Sequence, residues 1–132
     1  MTLTGWNERM SVGHGMIDGD HIKLVELLDQ LDDAVTNHLG LETYGKVLNQ
    51  LMNKIQAHFA SEEALMAEHH YAQTDQHVKD HGKLMRELFE FKARFDANAT
   101  TLSIAQLKSF EESLIRHIME TDKALAEVIP AR

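Results

Sequence analysis

The sequence predicts an all-α protein, an antiparallel up-down-up-down four-helix bundle with an N-terminal arm packed on it. Three observations predict it. Apolar residues recur at steps of three and four through four long segments. The single proline stands at Pro130 and glycines are few after residue 20, so little interrupts a helix. β-branched residues are sparse and no run alternates with period two, which removes the strand signal. At 132 residues the chain has the size of one domain with one continuous core. It divides into an arm, residues 1–17, and a bundle, residues 18–128.

The arm has no clear period, but Trp6, Val12, Met16 and Ile17 give it enough apolar surface to pack across the bundle. The first helix is expected from about Asp18 to Asn37, with Leu24, Val25, Leu28, Leu31 and Val35 on one face and a stop around Gly40. The second is expected from about Glu42 to His69. Its core stripe reads Leu48, Leu51, Ile55, His58, Glu62 and Leu65. Asp75 suits the N-cap of a third helix to about Ala97, with His77, His81, Leu84, Leu88, Phe91 and Phe95 on its stripe. Ser103 with Gln106 makes a capping-box pattern for a fourth, whose stripe reads Leu107, Phe110, Leu114, His117 and Thr121, with Asp122 one position off it. Short connections make neighbouring helices antiparallel.

Composition excludes several functions. The chain has no cysteine, so it has no disulfide framework, thiolate zinc site or iron–sulfur cluster. A formal net charge of -8 disfavours nucleic acid and anionic membranes, which need clustered Lys and Arg. The N-terminus lacks a basic start followed by an apolar run, and no stretch approaches membrane-spanning length. The expectation is a soluble cytoplasmic protein.

Five histidines and two carboxylates occupy places where helix-core residues belong: His21, His58, Glu62, His77, His81, His117 and Asp122. Residues four apart share a helix face about 6 Å apart along the axis, so His58 with Glu62, and His77 with His81, can converge. Antiparallel packing brings His21 and His117 to the same level. A buried carboxylate without a cation costs several kcal/mol, so Glu62 among histidines calls for a positive charge beside it. Imidazole with carboxylate suits a transition metal, and seven protein ligands exceed what one ion can use. The prediction is a buried two-metal site.

His14, His38, His69 and His70 fall in the arm or at helix ends and are expected to be solvated surface residues. The pair His77 and His81 has the spacing of a zinc-protease helix, but Val78 stands where that mechanism needs glutamate. Asp122, five residues after His117, is rotated about 140° from it on an ideal helix. The two can serve together only through a bulge or a bridging pose. If Glu62 and Asp122 both bridge and a solvent-derived oxo or hydroxo group adds a third bridge, five histidines divide as three and two. One metal is then saturated and the other keeps one open position. Iron suits such a site, because two adjacent ferrous ions can bind dioxygen. Leu28, Ile55, Phe59, Leu114 and Ile118 offer an apolar lining that admits a neutral gas.

These residues resemble the single-domain bacterial hemerythrins over essentially the whole chain. The matching elements are Trp6, Ile17-Asp18 before His21, the block His58-Phe59-Ala60-Ser61-Glu62-Glu63 followed by Met66, the pair His77 and His81, and His117-Ile118 leading to Asp122. The resemblance implies that His77, His81 and His117 hold one iron and His21 and His58 the other, with Glu62 and Asp122 bridging. It also implies reversible dioxygen binding at the iron held by His21 and His58. Two departures stand out. Many relatives have Trp-Leu where this chain has Ser113-Leu114, and a small hydroxyl in place of an indole is expected to loosen or wet the pocket. His70 and Ala72 stand in a turn where relatives often have Gly and Pro.

The expected function is therefore non-enzymatic oxygen storage, delivery or scavenging. One alternative is an oxygen or redox sensor acting with a separate, unidentified protein partner. Another is a di-iron oxidase or peroxidase. Ferritin-like di-iron enzymes use Glu-x-x-His motifs, and no histidine here has Glu three residues before it.

Overall fold

Each apolar stripe in the sequence becomes the buried face of one long helix. The structure, a computed structural model, describes residues 10–36, 41–96 and 104–129. The helices are α1 (Gly15–Thr36), α2 (Leu41–Glu68), α3 (Thr74–Asp96) and α4 (Ile104–Arg116). The last runs on into a π-helical turn, His117–Asp122, and a short α5, Lys123–Ala126. Consecutive helices pack on one another, α1 on α2, α2 on α3 and α3 on α4, as in an up-down-up-down bundle. Trp6, Asn37, His38, Gly40, Ala97 and Ser103, and the side chains of Val35, Phe95 and Gln106, lie outside the described residues.

The helix starts differ from expectation for local reasons. α1 begins at Gly15 instead of Asp18, because Asp18 ties down the arm. Its carboxylate accepts hydrogen bonds from Ser11 Oγ at 2.6 Å and Val12 N at 2.8 Å. His14 takes the N-cap position, its Nδ1 accepting from Ile17 N at 3.4 Å, three residues into the helix as a cap does. α3 begins at Thr74, not after Asp75: the Thr74 hydroxyl and N–H both donate to Tyr71 O. Asp75 sits in the first turn, where a negative charge suits the helix dipole.

α2 ends at a residue in the left-handed region, His70, φ 49°. Tyr71 N bonds to Met66 O and His70 N to Ala67 O, the paired closure that usually employs glycine at this position.

Leu24, Val25, Leu28, Leu31, Leu48, Leu51, Ile55, Leu84, Leu88, Phe91, Leu107, Phe110 and Leu114 are all buried. Full burial of each such side chain is worth about 1.5–3 kcal/mol. The core has two parts. A large cluster runs through all four helices down to Phe59 and Ile118, and a smaller one holds Ile17, Leu65, Met66, Leu125 and Ile129. Val12 packs on the smaller cluster, which docks the arm. Met16, counted with the arm's apolar surface, is instead 37% exposed, because it lies on the outer face of the first turn of α1.

Candidate metal centre

All seven polar residues singled out on the helix stripes are buried, none more than 3% exposed. They come from every long helix: His21 from α1, His58 and Glu62 from α2, His77 and His81 from α3, and His117 and Asp122 from the π-helical turn.

The two carboxylates each face two ways. Glu62 Oε1 lies 2.9 Å from His81 Nε2 and 3.4 Å from His77 Nε2, while its Oε2 lies 3.5 Å from His58 Nε2. Asp122 Oδ1 lies 2.8 Å from His117 Nε2 and 3.0 Å from His77 Nε2, while its Oδ2 lies 2.7 Å from His21 Nε2. The donor atoms form two overlapping groups, each lying within 4.8 Å: Glu62, His77, His81, His117 and Asp122 in one, and His21, His58, Glu62 and Asp122 in the other. Both carboxylates belong to both groups. The five histidines thus separate into three and two.

The π-helical turn makes this possible. Five residues on an ideal α-helix would leave Asp122 about 140° from His117, but the wider turn puts both on one face. Of the two ways round that obstacle, bulge or bridging pose, the protein adopts the bulge, and Asp122 also faces both groups.

The electrostatics of the seven residues favour ionised carboxylates with positive charge beside them. Burial opposes the charge of His58, yet the hydrogen bonds that His58 donates to Asp122 and Asp20, with the charge of Glu62, outweigh it and raise its pKa to about 9. The same opposition, with Asp122 and Glu62 winning, raises His117 to about 10 and lifts His77 as well. Burial and the Asp122 charge push Glu62 up, but His117, His77 and His81 overcome them and hold it at about 2. Asp122 is held well below the usual carboxylate range, against its own burial, by His117, His21, His58 and His77.

The inward-facing atoms also fit a metal better than one another. Glu62 Oε2, His77 Nε2, His117 Nε2 and Asp122 Oδ1 make no hydrogen bond among the described residues, although several lie near 3 Å from a neighbour. His21 Nε2 and His58 Nε2 face each other at 3.0 Å. Atoms this close with the wrong angles for hydrogen bonds point at a common centre, which is what a cation would fill.

Phe59 stacks on His81 at a centroid distance of 3.8 Å and touches the His58 and His117 rings. Leu28, Ile55, Leu114 and Ile118, expected from sequence as an apolar lining, are buried with Phe59 in one core cluster. Ser113 and His117 line a cleft of about 110 Å³ together with Asp80 and Arg116.

Sequence reasoning missed three carboxylates. Asp20, Glu63 and Asp80 bond to the outer Nδ1 atoms of His58, His81 and His117. Each directly adjoins a residue of the polar cluster in sequence, and that adjacency is the signal that marks them. His14 was misplaced as a surface histidine: it is 1% exposed, because capping α1 turns its ring inward. His69 is half-buried with its Nε2 shielded, whereas His70 is exposed as expected.

A four-helix bundle whose core is crossed by a buried histidine and carboxylate cluster defines a class of helical protein able to hold a metal. The family model described as hemerythrin HHE cation binding domain matches residues 12–129, and the chain belongs to the hemerythrin family. A bacteriohemerythrin of Stenotrophomonas maltophilia is 28% identical over 131 residues, covering 99% of this chain and 84% of the relative. One of Pseudomonas aeruginosa is 31% identical over 94 residues, covering 70% of this chain, and the match spans 60% of that relative's length. The crystal structure of a hemerythrin variant with a leucine-to-tyrosine change superposes with a TM-score of 0.85 at 25% identity, covering 96% of this chain and 97% of the other.

Proposed function

We propose that this protein binds dioxygen reversibly at a non-heme di-iron centre held by His21, His58, Glu62, His77, His81, His117 and Asp122. One observation carries the reading: Glu62 and Asp122 each turn one oxygen to the three-histidine group and the other to the two-histidine group. That is the posture of two bridging carboxylates. His77, His81 and His117 would hold one iron, and His21 and His58 the other. A pair of ferrous ions held there would supply the electrons that dioxygen takes up on binding and returns on release.

The remaining work falls to the chain. With fewer protein donors, the His21 and His58 side is where a ligand enters. Phe59, against the His58, His81 and His117 rings and in one buried cluster with Leu114 and Ile118, keeps the centre dry, so a neutral gas passes more easily than water or ions. A histidine-rich donor set favours carrying oxygen over activating it, which supports storage, delivery or scavenging above catalysis. Among the described residues, no helix is long and apolar enough to cross a membrane.

The test is direct. Metal analysis should give two irons per chain. Anaerobic reduction followed by air should produce a visible charge-transfer band that disappears when oxygen is removed. A band that decays at once to the ferric state while added reductant or peroxide is consumed points to an enzyme or sensor. One zinc per chain refutes the scheme.

A further inference from the structure

Three of the five histidines at the centre are gripped from outside by a carboxylate of the preceding helix. Asp20 of α1 accepts from Nδ1 of His58 in α2 at 3.0 Å. Glu63 of α2 accepts from Nδ1 of His81 in α3 at 2.9 Å. Asp80 of α3 accepts from Nδ1 of His117, at the head of the π-helical turn. The three form a chain of grips that follows the order of the helices. Each carboxylate also sits next in sequence to a member of the cluster: Asp20 before His21, Glu63 after Glu62, Asp80 before His81. Its own helix therefore places one cluster residue inward while the adjacent carboxylate reaches sideways to the next helix.

We propose that Asp20, Glu63 and Asp80 are positioning residues for the metal centre, an inference that rests on the di-iron reading above. A neutral imidazole offers Nε2 to a metal only when its proton is on Nδ1. A carboxylate accepting that proton selects this tautomer, fixes the ring plane and makes the imidazole a stronger donor. The histidines are 1–3% exposed, but the carboxylates lie at the rim, with side-chain exposures of 29% for Asp20, 41% for Glu63 and 36% for Asp80. Keeping the negative charges partly hydrated avoids the burial cost that three further anions beside Glu62 and Asp122 would bring. His21 and His77 differ: their Nδ1 atoms have no hydrogen-bond partner among the described residues. The three-histidine group thus has two gripped rings, His81 and His117, and the two-histidine group has one, His58.

The test uses the iron-loaded protein and its variants Asp20→Ala, Glu63→Ala and Asp80→Ala, with Asp80→Asn as the conservative change that keeps an acceptor but removes the charge. Iron release to a chelator should speed up roughly 10- to 100-fold in each alanine variant and less in Asp80→Asn. A Mössbauer spectrum should show which iron is disturbed. Asp20→Ala should alter the component of one iron, Glu63→Ala and Asp80→Ala that of the other. Glu112→Gln, at an exposed site on α4, should match the parent. Parent-like release and unchanged spectra in all three alanine variants, beside a parent that holds two irons, overturn this inference and leave the di-iron reading standing. Equal disturbance of both irons in every variant also overturns it, because that marks general loosening of the bundle. A parent that takes up no iron overturns the di-iron reading, and this inference with it.

Discussion

Asp122 Oδ2 lies 2.7 Å from His21 Nε2, joining the start of α1 to the end of the π-helical turn across 101 residues of chain. The contact closes the bundle at the level of the candidate metal centre. It exists only because the turn from His117 to Asp122 is wound more loosely than an α-helix.

Metal content should therefore follow whether His117 and Asp122 share one face. Deleting the exposed Met119 puts His117 and Asp122 four residues apart, a spacing that shares one face of an ordinary α-helix. That variant is expected to keep the parent's metal content. Inserting alanine after Glu120 spreads the pair to six residues and is expected to lose most of the metal. Equal metal content in the two variants, measured by elemental analysis, contradicts this.

The metal-free protein should lose stability as pH rises from about 6.5 towards 10. His58 and His117 have pKa values raised to about 9 and about 10 from 6.5. Their contribution is fully present below the unfolded value and disappears as pH passes the folded ones. Glu62, lowered to about 2 from 4.5, contributes above 4.5 and loses its contribution as pH falls through 2. The melting temperature of chelator-treated protein should peak between these limits and drop by several degrees at pH 10. A rise over the same range would sink the prediction.

A second buried carboxyl pair stands away from the histidine cluster. Glu111 on α4 is 1% exposed and meets Asp32 of α1. Burial and the facing Asp32 carboxyl push Glu111 up to about 9. Between pH 4.5 and 9 the folded state binds this proton more tightly than the unfolded chain, so stability declines as pH rises across that window. Glu111→Gln, which mimics the protonated acid, should stabilise the protein by about 1–3 kcal/mol at pH 8, with no gain at pH 4. Denaturant melts at the two pH values decide it.

His70 pays for a left-handed conformation that glycine adopts freely. With φ at 49° and an exposed side chain, His70→Gly should raise stability by about 1 kcal/mol without altering the metal centre. A fall in melting temperature would show that the imidazole makes a compensating contact.

Ser113 leaves a polar cleft beside His117. Filling it with indole in Ser113→Trp should exclude water and slow autoxidation of the oxygenated protein several-fold. An autoxidation rate equal to or faster than the parent's, followed by visible absorbance, counts against this.

The helix stripes and the seven polar residues were legible in the sequence because a helix repeats every 3.6 residues, and a buried face leaves that period in the chain. His58 with Glu62, and His77 with His81, announce themselves by a spacing of four. Even the conflict between His117 and Asp122 was visible as an awkward spacing of five. The sequence left open whether a bulge or a bridging pose resolves it.

The tertiary structure decided what depends on helix rotation and on contacts between helices. Asp20, Glu63 and Asp80 sit about 100° round their helices from the cluster residues beside them, and their partners lie 38, 18 and 37 residues away. The same holds for Asp32 meeting Glu111, and for the inward turn of His14 at the cap of α1. Periodicity reports which face of a helix is buried, not which neighbour that face meets. Which histidines gather at each oxygen of Glu62 and Asp122 is therefore settled only when four helices pack together.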